Sequence, residues 1–275
     1  MTDFSVNTNP GSFVALQSLS STNKLLERTQ LRVTTGLKVN GPKDDASTFA
    51  IAQNQRGDIA GFRSVKTALA AGGSTTNVAI TGGKSISDLL IEMKAKVVQA
   101  NQAGLNAASR TALQNDFAAL RSQIETIVAT AEFNGANLIT SAATNLTVLS
   151  TVDGSTISVS AQSLDTATLG ISTATVNLLT SSGAVNTLTA INSAIVQVSD
   201  KLAALGSAAK RIEVQSEFVV KLVDILQEGV GTLVDANMAE ESASLQSLQV
   251  KQQLGIQALA IANSNPQAIL QLFRG

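Results

Sequence analysis

Apolar positions recur along the chain in alternating steps of three and four, the pattern of a helix that buries one seam against another helix. The clearest run holds Leu188, Ile191, Ile195, Val198, Leu202, Leu205, Ala209, Ile212, Ser216, Val219, Val223, Leu226, Val230 and Leu233, with Ser216 its one polar member. An uninterrupted helix over this run is about 69 Å long at ~1.5 Å per residue. A compact globule of 275 residues has a radius of gyration of roughly 19 Å, so the pattern predicts an elongated rod. Gly206, Gly229 and Gly231 weigh against continuity, each at about 1 kcal/mol relative to Ala.

The N-terminal half supplies partners for that helix. One series runs Val65, Leu69, Gly72, Thr76, Ala79, Gly83, Ile86, Leu90, Met93, Val97, Ala100, and a second runs Leu113, Phe117, Leu120, Ile124, Ile127, Ala131. "GLNAAS" between them reads as a turn. The first series is rich in small residues at its middle, which invites close approach of a neighbouring backbone. The expected fold is mainly α: long coiled-coil-like helices zipped into a rod. Its core is expected at Leu90, Met93, Val97, Leu113, Phe117, Leu120, Ile124, Ile127, Ile195, Val198, Leu202, Leu205, Ile212, Val219, Val223 and Leu226.

The two chain ends carry shorter seams. Near the start, Leu16, Leu19, Asn23, Leu26, Gln30 and Val33 keep the heptad spacing; polar seam residues such as Asn23 and Gln30 fix register at a cost in stability. Gly36 suits the left-handed end of this helix. "GLKVNGPKDDAS" then reads as a loop, with Asp44 or Asp45 capping the next helix. At the other end, residues 252–273 form 22 uncharged positions. A membrane helix, a core helix and a partner-seeking helix are the three candidates. The first fails, because Gln252, Gln253, Gln257, Asn263, Asn265, Gln267 and Gln271 would each cost ~4–8 kcal/mol on transfer to hydrocarbon. On a helical wheel Leu254, Ala258, Leu259, Ile261, Ala262, Ile269, Leu270, Leu272 and Phe273 share one half and amides occupy the other, while Pro266 is a kink or break signal.

A solitary surface helix normally carries charge on its polar face. Paired, the two ends still leave apolar surface uncovered, and exposed patches of that kind mark association sites. The missing cover is therefore expected from other copies of the same chain. The uncharged polar face of the last helix is a candidate lining for a central channel.

Between residues 139 and 187 the composition changes. Ser and Thr rise, Lys and Arg vanish, and "NLTVLSTVDGSTISVSAQ" alternates around Asp153-Gly154, a strong hairpin signal. This stretch reads as a small β-rich, solvated insertion at the far end of the rod. Asn145-Leu146-Thr147 is an N-glycosylation sequon. The expected division is residues 1–42 for a first terminal helix that pairs with 236–275, residues 43–138 and 188–235 for the rod, and 139–187 for the insertion.

Composition narrows the chemistry. Cys, His, Trp and Tyr are absent and Phe numbers eight. That removes disulfides, thiolate nucleophiles, imidazole bases and the usual zinc sites, and leaves aliphatic residues to do the packing. A net charge of −1 and the lack of a basic stripe argue against nucleic acid. "MTDFSVNTNPGSF" has neither the basic nor the apolar region of a secretory signal. Asp44-Asp45 offers too few ligands for a calcium shell and reads as capping or loop polarity. Glu240-Glu241 point ~100° apart on a helix and do not form a catalytic pair. "AAGGS" and "TGGKS" lack phosphate-loop spacing and read as sites of tight helix packing.

The residues at both ends resemble bacterial flagellin, the filament subunit of the flagellum. "VNTN" (residues 6–9), "TTGLKVN" (34–40) and "KDDAS" (43–47) are similar to its N-terminal signature, and "FNG" (133–135) to the motif closing its N-terminal rod. "DANMAEES" (235–242), "KQQLGIQALAIAN" (251–263) and "ILQLFR" (269–274) are similar to its C-terminal signature. The resemblance covers about residues 1–140 and 187–275; the middle matches the position of the family's variable region.

It implies terminal helices paired in the inner tube of a filament, a rod outside them, and a solvent-facing variable part. It also implies ends that order on assembly, and export through the flagellar type III apparatus with a chaperone at the C-terminal end. Hook-junction and cap proteins are implied as further partners, O-linked glycans are implied on Ser or Thr within 139–187, and an extracellular flagellum is implied as the location. Asn237 stands where the family usually has Asp, Pro42 where Ser or Ala is common, and Gly275 follows the usual terminal Arg. "LIEMKAKVVQ" (90–99) departs from the basic pattern that some members present to an innate immune receptor.

The reading is a structural, non-enzymatic protein without cofactor, metal or membrane insertion. It polymerises through heterologous, non-closing interfaces, because that geometry gives a helical filament instead of a ring. A hook–filament junction protein and, more distantly, a coiled-coil signalling protein are the alternatives.

Overall fold

A computed structural model describes residues 8–272, and the side chains of residues 8–264. Five helices carry the fold: α1 (Pro10–Thr35), α2 (Ala46–Ala100), α3 (Ala107–Thr130), α4 (Ser181–Val234) and α5 (Met238–Leu272). Two short antiparallel hairpins lie between α3 and α4. One pairs β1 (Glu132–Phe133) with β2 (Ala136–Asn137), the other β3 (Leu146–Leu149) with β4 (Thr156–Val159).

The helix ends follow local chemistry. Asn9 caps α1, its Oδ1 accepting from the Ser12 amide at 3.1 Å, and Pro10 fills the first turn, where its missing N–H costs nothing. Gly36 closes the helix at φ +73, where a Cβ would be strained. Asp45 caps α2, its Oδ1 accepting from Ser47 and Thr48 amides at 3.0 Å each. Asp44 instead holds the loop, accepting from Asn40 and Gly41. Asn106 caps α3 through Ser109, and Arg110 reaches back to the Ala100 carbonyl at 2.6 Å to close α2. Asn237 begins α5 by accepting from Ala239 at 3.2 Å, a role Asn fills as well as Asp. Gly206, Gly229 and Gly231 do not interrupt α4, and α5 continues past Pro266.

The chain forms two compact units. The first comprises residues 1–57 and 226–275. In it α1 and α5 run antiparallel, tied at their base by Ala236 donating to Gly36 O (2.8 Å) and Lys38 to Val234 O (2.7 Å). Val39, Ala52, Val230 and Val234 are buried here, and Leu226 is half-buried.

The second unit, residues 58–225, is a helix bundle with one continuous core. Its part of α2, residues 58–100, is about 64 Å long at ~1.5 Å per residue; a compact unit of this size has a radius of gyration of about 15 Å, so this unit is itself elongated. Leu90, Met93, Val97, Leu113, Phe117, Ile124, Val198, Leu205, Ile212 and Val219 are buried. Leu120, Ile127, Ile195, Leu202 and Val223 are half-buried against them.

The insertion departs from expectation in two respects. First, it is not merely solvated: Leu138, Ile139, Leu164, Leu169, Ile171 and Leu178 are fully buried and belong to the same core as the helices. Second, it does not cap the far end. From the end of α3 the chain descends along the bundle, placing Val148 on Gly72 and Val152 on Gly61 of α2. It then climbs back, Leu178 donating to Gln114 Oε1 at 2.8 Å and Ser181 reaching Asn101, to start α4. Gln215 of α4 donates to Ser150 O at 2.9 Å, and Lys201 donates to the Ser163 carbonyl. The hairpin around Asp153-Gly154 is present as expected, with Gly154 at φ +88. The first hairpin, with Asn134 at φ +50 and Gly135 at φ +76, is an addition.

Candidate assembly surface

The α1–α5 pair is where the sequence placed its association residues. Half-buried positions of α1 include Ser12, Ala15, Leu19, Thr22, Leu26 and Val33, with Thr29 buried. Those of α5 include Glu241, Leu245, Gln252, Gly255, Leu259 and Ala262, with Leu248 buried. These positions step by three and four, with Arg32 and Ser244 half-buried beside them, so the two helices meet along heptad seams. The antiparallel register is pinned by four links. Arg32 Nη1 donates to Glu241 Oε1 at 2.9 Å, Gln252 Nε2 to Asn23 Oδ1 at 2.8 Å, and Asn9 Nδ2 to Ala262 O at 2.7 Å. Gly255 lies against Leu19, where an added Cβ would come within 3.2 Å of Leu19 Cδ1.

On α1 this seam is offset by one residue at alternate positions from the sequence reading. Leu19, Leu26, Val33, Leu259 and Ala262 lie in it, whereas Leu16, Asn23, Gln30, Leu254, Ala258 and Ile261 are exposed. The reason is size. Ala15, Thr22, Thr29 and Gly255 let the backbones approach, and the bulkier Leu16 is left outside. Ile269, Leu270 and Leu272 have side chains outside the described residues, and Phe273 lies wholly outside them. The links through Arg32, Glu241 and Gln252 were not among the residues picked from sequence; the signal for them was a second heptad frame made of small and polar residues.

The outer faces of the pair carry large apolar residues among polar ones. Phe13, Val14, Leu16, Leu25 and Leu31 are exposed on α1, and Val250, Leu254, Ile256 and Ile261 on α5. Val250, Leu254 and Ile261 stand within about 40° of one another at 100° per residue, well away from the side that meets α1. The exposed amides Gln253, Gln257 and Asn263 add no charge to this surface. Among the described residues no helix is long and apolar enough to cross a membrane, and no three acidic residues gather as a metal site.

Electrostatics in the second unit serve structure. Burial alone would raise the Asp165 carboxyl, but hydrogen bonds from Ser163 and Thr168 outweigh it and hold the group below its ordinary value. Partial burial pushes the Lys201 ammonium down, with Asp165 opposing. In the first unit the Thr48 amide and hydroxyl hold Asp45 low at the cap of α2. Asn145 of the sequon spends its Oδ1 on the Ala161 amide at 3.0 Å.

Comparison with known proteins gives one consistent picture. Residues 6–144 match the family described as the bacterial flagellin N-terminal helical region, and residues 188–273 match the bacterial flagellin C-terminal helical region. Flagellin FljK of Caulobacter vibrioides is 44% identical over 270 residues, covering 98% of each chain. A flagellin of Brucella melitensis is 35% identical over 285 residues, covering 98% of this chain and 99% of its own. A solved structure of a flagellar hook-associated protein from Vibrio parahaemolyticus superposes at TM-score 0.58 with 16% identity, covering 70% of this chain and 100% of that one. At that identity the likeness speaks to fold alone.

Proposed function

The chain belongs to the bacterial flagellin family, structural subunits of the extracellular flagellar filament, and from that premise we propose that the outer faces of α1 and α5 are its self-assembly surface. The observation that carries this is the large apolar surface left outside the pair: the seam takes Leu19, Leu26, Val33, Leu245, Leu248 and Leu259 among small and polar residues, while Phe13, Leu16, Val250, Leu254 and Ile261 stay exposed. Neighbouring copies cover Phe13, Leu16, Val250, Leu254 and Ile261, and the polymer gains burial that a lone copy lacks. Half-burying nine such side chains contributes about 7–13 kcal/mol per copy. Association costs about 4–15 kcal/mol before any gain. The terminal faces alone therefore come close to balance, and growth draws on further contacts.

The order of the ends is coupled to assembly, since a two-helix pair with a slender seam is marginal in water. Interfaces are heterologous and head-to-tail. Export of the chain through a type III apparatus with a chaperone, end contacts with hook-junction and cap proteins, and an amide-lined channel along α5 belong to the same reading.

The test is direct. Leu254→Asp and Ile261→Asp alter exposed side chains, so the monomer keeps its helicity by circular dichroism. Neither variant forms filaments by electron microscopy at a concentration where the parent does. Normal filaments from both would falsify the assembly role of this face. Limited proteolysis of the dilute monomer should trim both ends to a core of roughly residues 45–235; equal resistance of ends and core would remove the coupling.

A further inference from the structure

The second unit carries a ridge and a groove on the same helix. The ridge is Val214, Phe218 and Ile225 of α4, which are 53%, 55% and 63% exposed. At 100° per residue they fall within about 40° of one another, on the side away from the buried Leu205, Ile212 and Val219. The groove, about 590 Å³ in volume, lies between α2 and α4. Leu69 and Ile212 are buried at its floor, and Ala70, Gly73, Gly206 and Ala209 form its walls.

The groove has a local cause. The last turns of α3 pack Ile127 and Ala131 against Gly82 of α2. Below that point the hairpin covers one side of the α2–α4 pair, seating Val148 on Gly72. Gly73, turned ~100° further round the helix, faces the uncovered side. A Cβ there would meet only Ile212 Cγ2, at 3.7 Å, and one at Gly206 would meet nothing within 4 Å.

We propose that the Val214–Phe218–Ile225 ridge of one copy seats in the Gly73–Gly206 groove of the next. This rests on the reading of the chain as a filament subunit and names a second contact for it, the one that terminal faces near balance require. Three observations select a second copy as the occupant. The ridge supplies bulk and the groove supplies small residues. Exposed Arg211 and Lys221 flank the ridge, and exposed Glu213 and Glu217 stand on the α4 lip of the groove; Lys210 of the same lip already holds Glu213 at 2.7 Å, which leaves Glu217 as the carboxylate to meet the basic flanks. Ridge and groove are roughly 120° apart around α4 at 100° per residue, so a copy that seats its ridge in one neighbour has its groove free for another, and the contact can extend from copy to copy.

The chain has no cysteine, which makes cross-linking unambiguous. Phe218→Cys and Gly206→Cys are combined in one chain, assembled into filaments and mildly oxidised. The two positions are about 18 Å apart along one helix, beyond the ~4.4–6.8 Å Cα separation of a disulfide, so a bond forms only between copies. A ladder of dimers, trimers and higher species on a denaturing gel, absent from either single variant, is the expected result. Filaments that give no ladder overturn the contact while leaving the filament reading intact. Dimers from Phe218→Cys alone also overturn it, because they show ridge meeting ridge. Failure of the parent chain to polymerise sinks the filament reading itself.

If the double-cysteine chain does not assemble, charge reversal decides. Arg211→Glu with Lys221→Glu slows seeded growth by about tenfold, equivalent to ~1.4 kcal/mol. Adding Glu213→Lys with Glu217→Lys to the same chain restores it. Unchanged growth in the first variant, or no recovery in the second, overturns the proposal.

Discussion

Two adjacent glycines in α2 give opposite expectations for the same substitution. An added Cβ at Gly72 would stand 2.3, 2.9 and 3.2 Å from Val148 Cγ2, Cγ1 and Cβ, against ~3.5–4.0 Å for a normal carbon contact. The whole valine is in the way, and it belongs to a strand that Gln215 ties to α4. Gly72→Ala therefore costs about 1–3 kcal/mol in overpacking, offset by about 1 kcal/mol of helix propensity. At Gly73 the nearest atom to a Cβ is Ile212 Cγ2 at 3.7 Å, so Gly73→Ala gains up to about 1 kcal/mol of propensity with no clash. At ~2–4 °C per kcal/mol for a unit of this size, Gly72→Ala lowers the midpoint of thermal unfolding by a few degrees and Gly73→Ala raises it. Circular dichroism of the dilute monomer reads both. Val148→Ala should remove the penalty of Gly72→Ala, with a coupling of about 0.5–3 kcal/mol in the double-mutant cycle. A Gly72→Ala protein more stable than the parent, or a cycle without coupling, would refute the claim that this hairpin is seated on a bare helix backbone.

Other expectations concern polar links. Arg32→Ala leaves the half-buried Glu241 carboxylate without its donor, costing about 1.5–3 kcal/mol for a hydrogen bond to a charged group; proteolysis should then release the α1–α5 pair sooner, and the Arg32→Ala, Glu241→Ala double variant should lose less than the two single losses together. Asp165 titrates below its ordinary value in the folded chain, so its contribution is present above pH ~4 and fades as pH falls through the lowered folded value. Asp165→Asn should flatten that part of the acid-unfolding curve; an unchanged curve would mean the hydroxyl cradle contributes nothing. Asp45 is likewise held low by Thr48, and Asp45→Ala should fray the first turn of α2, read as faster amide exchange at Ser47 and Thr48.

Much of the helical framework was legible because caps and seams are written locally. Gly36, Asp45 and the Asp153-Gly154 turn do what their backbone chemistry predicts. The long apolar run found α4 but missed its first two turns, since Thr180, which accepts from the Gly183 amide at 3.1 Å, sits in a Ser/Thr-rich stretch that reads as solvated. The same composition hid Leu164, Leu169, Ile171 and Leu178; scattered apolar residues without a period give no sign of shared burial. At the start of the chain, two heptad frames overlap with alternate positions one residue apart. The apolar bulk of Leu16 selects the frame Leu16, Asn23 and Gln30 beside Leu19 and Leu26, but geometry favours Ala15, Thr22 and Thr29. Choosing between them requires knowing how closely the partner backbone comes, and Gly255, the residue that sets this distance, is some 240 positions away.

That choice of frame bears on how a subunit avoids being finished too early. Had Phe13, Leu16, Leu254 and Ile261 also faced inward, α1 and α5 would form a self-sufficient pair, with each fully buried Leu, Ile or Val adding about 1.5–3 kcal/mol and little left for neighbours to offer. With Ala, Thr and Gly alternating with half-buried Leu inside, the pair is specified by its register links but only modestly stabilised, and a further reward lies on faces that a single copy cannot cover. On the proposed reading, stability of the ends is then a property of the filament, and the same bulk that is wasted in the monomer drives addition of the next subunit. The second unit solves the complementary problem. Its core is complete without neighbours, so it delivers the α4 ridge and the α2–α4 groove in a set geometry. A conditional surface on one unit and a pre-formed one on the other together separate the two demands on such a chain, whose ends must stay unfinished until neighbours cover them and which must dock in one register when they do.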